Sequence, residues 1–209
     1  MAREEWLKRR LKGIGASEAS AIVGMNPYKT NVELWEEKTG RREPEDISDK
    51  PYVKYGTEAE KHLRALFALD FPQYEVNYKD FDMRYNSDYP FIFATLDGEL
   101  TEKATGRKGV LEIKTTEIMK SEQYDKWKGR IPQNYYIQVI HQLLATGFDF
   151  VVLKAQLKSA YGDVRLSTRH YHIEREEVLE DISYLLQREI LFWECVQEDR
   201  KPNLILPPL

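Results

Sequence analysis

The chain has 209 residues, a formal net charge of −4, and 42% hydrophobic and 32% charged residues, which suits one domain of ordinary size with a real core and requires no second domain. Its single cysteine, Cys195, excludes an internal disulfide framework and a cysteine-ligated metal centre, and fits a reducing compartment. Arg3, Glu4 and Glu5 charge the amino terminus, and no apolar run nears the roughly 20 residues that cross a bilayer, so the expectation is a cytoplasmic, soluble protein with no membrane partner. Bulk acidity argues against a general polyanion binder, yet positive charge is clustered at Lys8-Arg9-Arg10 with Lys12, at Arg41-Arg42, at Lys103 with Arg107-Lys108, and at Lys126, Lys128 and Arg130. Solvated surface is the default for each cluster; only the first lies beside a motif that suits phosphate contact.

Residues 6–11 read as a short basic helix or turn leading into Gly13-Ile14-Gly15. Ser17 is expected to cap a helix over 18–23, ended by Gly24 and Asn26-Pro27. Thr30 with Glu33 is a capping-box signature opening a helix over 32–38, closed by Gly40. Residues 41–52 carry Pro44, Ser48 and Pro51 among charges and read as an exposed loop. Helix resumes over 54–69, with Leu63, Leu66 and Phe67 on its apolar face. Strands follow over 74–78, 81–85, 91–94 with 96–100, and 110–115, the last two joined by a polar turn over 102–109. A helical stretch after Thr116 precedes Gly129, and Pro132 starts a long helix to Ala145 that Gly147 stops. Two further strands, 149–157 and 168–173, are joined by Tyr161-Gly162-Asp163. A terminal helix over 174–198 carries Val178, Ile182, Leu185, Leu186, Ile190 and Trp193 at helical spacing, which is core or subunit packing. The fold class is α/β: a mixed central sheet flanked by helices.

The chemistry concentrates between Asp97-Gly98 and Leu111-Glu112-Ile113-Lys114. On paired strands, period-two alternation sets Glu112 and Lys114 on one face and turns Ile113 toward the core. Two carboxylates and an ammonium then converge, a set that suits a hard divalent cation and phosphodiester hydrolysis, with the lysine holding or deprotonating the attacking water. A Glu-X-Lys triplet also arises on the wet face of an antiparallel strand with no chemistry, so its surroundings decide. Those surroundings include Tyr55-Gly56 with Glu60 at a helix start, Gln138 within a long helix, and Arg10 and Ser17 bracketing the amino-terminal glycine-rich turn.

With these residues in their order, the chain resembles the lambda-exonuclease-like, or YqaJ-type viral recombinase, branch of the PD-(D/E)XK nuclease superfamily. The resemblance rests on Trp6, Arg10, Gly13-Ile14-Gly15-Ala16-Ser17-Glu18, Gly56 with Glu60, Asp97-Gly98, Leu111-Glu112-Ile113-Lys114 and Gln138. It implies a restriction-endonuclease-like core in a single nuclease domain over 1–209. Asp97 and Glu112 would ligate Mg2+, with Mn2+ as a possible substitute, helped by the Ile113 carbonyl and by Glu60. In a two-metal arrangement one ion acidifies the attacking water and the other stabilises the leaving oxygen. Lys114 would orient the water, Gln138 would position water or the scissile phosphate, and Arg10 and Ser17 would receive a terminal 5′-phosphate, with Trp6 along the DNA path or simply packed. The resemblance further implies 5′-to-3′ digestion of one strand of double-stranded DNA, a ring-shaped homotrimer and a single-strand annealing protein as partner.

Two positions depart from the family pattern. Leu96 precedes Asp97 where proline is frequent, and Ile140 stands where a second glutamine is frequent. Either Gln138 or Gln142 could therefore meet the phosphate. His141 points about 100° away from Gln142 on the helix and is read as outside the chemistry. The competing functions are a structure- or sequence-specific endonuclease on the same fold, an inactive DNA-binding module, and a hydrolase of small phosphoesters.

Overall fold

A computed structural model describes residues 3–159 and 165–206 of the chain, so the expected turn at Tyr161-Gly162-Asp163 lies outside the described residues. Seven helices and eight strands are described. In chain order they are α1 (Arg3–Arg10), β1 (Ile14–Gly15), α2 (Ala19–Ile22), α3 (Asn31–Lys38), α4 (Pro51–Asp70), β2 (Tyr74–Asn77), β3 (Met83–Tyr85), β4 (Ile92–Thr95), β5 (Gly98–Glu102), β6 (Lys108–Ile118), α5 (Ser121–Asp125), α6 (Gln133–Thr146), β7 (Phe150–Ser159), β8 (Arg165–Glu174) and, after the 3-10 turn Arg175–Val178, α7 (Leu179–Gln197).

The main sheet has the order β2-β5-β6-β7-β8, with β6 and β7 parallel and every other neighbouring pair antiparallel. A parallel pair needs a crossover, and α5 with α6 supplies it. The α/β architecture with a mixed sheet is as expected. The sheet is joined by a second one, β1-β4-β3, in which β1 runs parallel to β4. Two-residue β1 carries no alternation that a sequence pattern could detect; it forms because Gly13 lets the chain approach β4, where a Cβ at Gly13 would fall 2.4 Å from the Phe91 carbonyl oxygen.

Helix α4 covers one face of β5 and β6, packing Leu63 and Phe67 on Leu100, Leu111, Ile113, Phe150 and Val152. Leu66, expected on that apolar face, is instead 49% exposed. Helices α6 and α7 cover the other face, where Val139, Ile140, Leu143 and Ile182 meet Val110, Val151 and Leu153. Ile113 thus points into the core while Glu112 shares the α6 side of β6 with Val110.

Local signals explain most boundaries. The Thr30 and Glu33 capping box forms and opens α3, Pro51 begins α4 at a position that needs no amide donor, and Gly147 ends α6 with a φ of 69°. The Ser17 cap is corrected: Glu18 occupies the N-cap of α2 without a side-chain cap bond, its carboxylate accepting from the Gly15 N–H and Lys38 instead, while Ser17 Oγ accepts from Arg10 at 3.2 Å. In the α7 stripe Val178, Ile182 and Leu185 are buried, and Trp193 stacks on Phe91 with centroids 5.4 Å apart. The stripe is core, and it includes a buried acid, Glu189, that the apolar pattern does not announce.

Candidate active site

A cleft of about 420 Å3 opens between the start of α4, the β4–β5 corner, β6, α6 and the turn after α1. Glu60, Asp97, Glu112, Ile113, Lys114 and Gln138 line it, and so do Trp6, Arg10 and Ser17. Every site residue expected from sequence therefore faces one space.

Asp97 occupies the corner where β4 hands over to β5, and its Oδ2 accepts from the Ile113 N–H at 2.7 Å, which ties the acid to the middle of β6. Glu112 is buried in that strand. Its Oε1 accepts from Lys114 Nζ and from Gln138 Nε2, each at 2.6 Å, and its Oε2 accepts from Gln142 Nε2 at 2.5 Å. The two glutamines differ in exposure: Gln138 lines the cleft, whereas Gln142 is fully buried behind Glu112, and its own Oε1 has no partner. Glu60 reaches the cleft because Gly56 lets α4 approach β6; a Cβ there would lie 3.1 Å from Thr115 Oγ1.

The electrostatics follow from this crowding. Asp97 is partly accessible through the cleft, yet its desolvated surroundings, then repulsion from Glu112 and Glu60, hold its carboxyl well above the usual range. Glu60 is raised by burial, opposed by Arg64 and reinforced by Glu112. Burial works against the Lys114 ammonium, but Glu112 and Asp97 more than offset it and raise its affinity for the proton. Lys114 is thus a cation held against Glu112, with the Tyr135 ring 5.1 Å away.

The donor set fits a divalent cation. Two carboxylates whose mutual repulsion a cation would relieve face the same cleft. Carboxylate oxygens are the donors a hard cation such as Mg2+ takes, one or two of them acting together with water and substrate phosphate.

The amino-terminal part of the cleft is held by charge. Arg10 donates to Ser17 Oγ at 3.2 Å, lies 3.5 Å from Glu18 Oε1, and stands over the Trp6 ring at 4.9 Å. Trp6 Nε1 in turn donates to Thr95 Oγ1 at 3.0 Å, which docks α1 on the strand that delivers Asp97. Trp6 is therefore both packed and at the cleft surface.

Residues 5–149 match the YqaJ-like viral recombinase domain. The chain belongs to this family. It is similar to the uncharacterized protein YqaJ of Bacillus subtilis, with 33% identity over 196 residues that make up 92% of this chain and 56% of that protein. It is also similar to the uncharacterized protein R354 of Acanthamoeba polyphaga mimivirus, with 29% identity covering 70% of this chain and 27% of that one. The chain thus spans just over half the length of the first relative and about a quarter of the second. Among solved structures, the alkaline exonuclease LHK-Exo of Laribacter hongkongensis superposes with a TM-score of 0.70 at 19% identity, covering 94% of this chain and 93% of that one. A phage-related exonuclease from Haemophilus somnus gives 0.57 at 15% identity, covering 89% and 96%. The YqaJ-like chain shares their fold, the PD-(D/E)XK-like core.

Three further residues shape the site of this YqaJ-like domain without a role having been assigned to them in the sequence. Arg64 donates to the Asp97 main-chain oxygen and to Glu60 Oε1, with its guanidinium 3.3 Å from the Tyr78 ring centroid. The Glu60 and Arg64 spacing of four on one helix is a readable signal for it. Glu18 and Lys38 are the other two. Lys38 Nζ donates to Glu18 Oε2 at 2.7 Å and to the Arg10 carbonyl at 2.8 Å, while the Gly15 N–H donates to Glu18 Oε2 at 2.9 Å. Burial would raise Glu18, but Lys38 and Arg10 outweigh it and bring its pKa down to about 2. Burial lowers Lys38 despite Glu18, so the two partners move in opposite senses with respect to charge; the ionised pair is the state the geometry supports, since Glu18 also accepts from Arg10 and Gly15. With Glu18 neutralised by Lys38, Arg10 contributes a net positive charge at the cleft rim.

Proposed function

We propose that this YqaJ-like domain, taken as one nuclease domain over 1–209, is a Mg2+-dependent 5′-to-3′ exonuclease that digests one strand of double-stranded DNA and leaves 3′ single-strand tails for recombination. The observation that carries the reading is the convergence of Asp97, Glu112 and Lys114 in a cleft that also presents Arg10 and Ser17. Asp97 and Glu112 would hold the metal, with Glu60 beside them and the Ile113 carbonyl as a further donor; Mn2+ would substitute. When bound, the metal would supply Lewis acidity to the phosphate and acidify the attacking water.

The chain's own groups do the remaining work. Lys114, as an ammonium, offsets charge building on the phosphate oxygens. Gln138, next to it on the cleft wall, orients water or the scissile phosphate through its neutral amide. Arg10 offers a planar fork and Ser17 a hydroxyl to a terminal 5′-phosphate, which gives the cleft a sense of direction. The resemblance alone carries the homotrimeric ring, the single-strand annealing partner and the cytoplasmic setting; a native mass measurement tests the ring. No described helix is long and apolar enough to cross a membrane.

A 5′-phosphorylated, end-labelled linear duplex tests the activity. Progressive release of mononucleotides from the 5′ end supports the reading, while cutting of covalently closed circles favours an endonuclease. Lys114→Ala should abolish turnover and keep most DNA affinity; equal turnover in variant and parent would remove Lys114 from the chemistry.

A further inference from the structure

A second groove, of about 220 Å3, adjoins the cleft and shares Tyr52 and Thr115 with it. Tyr55, Thr116, Glu117 and Lys158 form its other walls. Tyr52 is 59% exposed and Tyr55 39%. Tyr55 is held in place: its hydroxyl donates to Gln156 Oε1 at 2.8 Å, and the Lys158 ammonium stands 5.0 Å from its ring centroid.

Aromatic rings interleaved with a cation and continuous with a phosphodiester site are what a single-stranded nucleic acid uses, because every base offers a π face whatever its sequence. Glu117 is the acidic group on the wall, which places the phosphate backbone on the Lys158 side. The geometry points to Tyr52 and Tyr55, with Lys158 beside them, as a stacking platform for single-stranded DNA, the strand that separates from the duplex at the cleft. This rests on the nuclease reading for its substrate and extends it to the strand that is not being cut. A proline-rich peptide is the other ligand that takes tyrosine grooves, but the continuity with the cleft and Lys158 favour the polyanion.

The test uses the full chain in chelator, so that binding is read without turnover, and a fluorescein-labelled oligothymidylate followed by anisotropy. Tyr52→Ala and Tyr55→Ala should each weaken binding on the order of tenfold. Tyr52→Phe should bind as the parent does, since the ring face is kept. Thermal melting should move little in the two Tyr52 variants, because that ring is exposed. A parent that ignores the oligothymidylate, alanine variants that bind as well as the parent, or a phenylalanine variant that loses as much as alanine would each overturn the platform. Duplex cleavage with unchanged single-strand affinity would count against the platform alone, and intact stacking without cleavage against the nuclease reading alone.

Discussion

Gln142, fully buried on α6, donates its amide to Glu112 Oε2 at 2.5 Å, while Gln138 one turn earlier reaches Oε1 of the same carboxylate from the cleft wall. One helix thus fixes an acid of the sheet with two amides of unlike exposure, and the two should fail differently. Gln138→Ala should cut turnover on the order of 10–100-fold with little change in melting, as for a group that orients a ligand. Gln142→Ala should lower stability by about 1–3 kcal/mol, because it strips a donor from a buried carboxylate. Urea unfolding and steady-state cleavage of the two variants check this; equal effects on both readouts would contradict it.

Arg10→Ala should weaken the preference for 5′-phosphorylated over 5′-hydroxyl duplex ends by about 1–3 kcal/mol, the worth of a charge-assisted contact. Competition between the two ends in a single reaction reads the preference directly. An unchanged ratio would place end recognition elsewhere.

The Glu18 and Lys38 pair gives a pH dependence with a definite sign. Glu18's folded pKa, about 2, lies below its ordinary 4.5, so its stabilisation is fully present above the ordinary value and is lost as pH falls through the interval toward 2. Lys38 stays charged across that interval, so its own downward shift does not alter the slope. The stability gap between the parent and Glu18→Gln should therefore be on the order of 2–3 kcal/mol near pH 6 and should close toward pH 2. Urea midpoints across the series measure it; a gap independent of pH would show that the carboxylate charge contributes nothing.

Gly13→Ala should destabilise the chain by about 2–4 kcal/mol, since the added Cβ would meet a backbone oxygen that no side-chain rotation can clear. The same change should loosen β1 from β4 and with it the turn between Arg10 and Ser17, so 5′-phosphate discrimination should fall alongside melting temperature. Unaltered melting would contradict the close approach.

What was legible in the sequence was local. The Thr30 and Glu33 box, Pro51, Gly147 and the apolar alternation of β6 act over a few residues, and they set helix starts, helix ends and the face that Glu112 presents. Glu112 and Lys114 could be read because a strand fixes where alternate side chains point. Features built from distant partners could not. His141 and Glu189 lie 48 residues apart and meet fully buried at 2.6 Å, with the other ring nitrogen 2.9 Å from the Phe93 oxygen. Reading His141 as outside the cleft is consistent with that, yet its buried partner has no signature on an amphipathic helix. The split into two sheets escaped for the same reason: β1 is a two-residue strand whose pairing depends on Gly13 and on Phe91, far along the chain. Lys38 ended α3 as an ordinary basic residue in the sequence and proves to be a buried clamp on Glu18 and the Arg10 carbonyl.

The central claim is that Asp97 and Glu112 form a divalent-cation site beside Lys114. Calorimetric titration of Mn2+ into the parent and into Asp97→Asn measures it without relying on any substrate. The parent should bind, and the variant, which keeps the shape and loses one anionic oxygen donor, should bind at least about tenfold more weakly. Equal affinity in the two proteins, or no binding by the parent, would contradict the account.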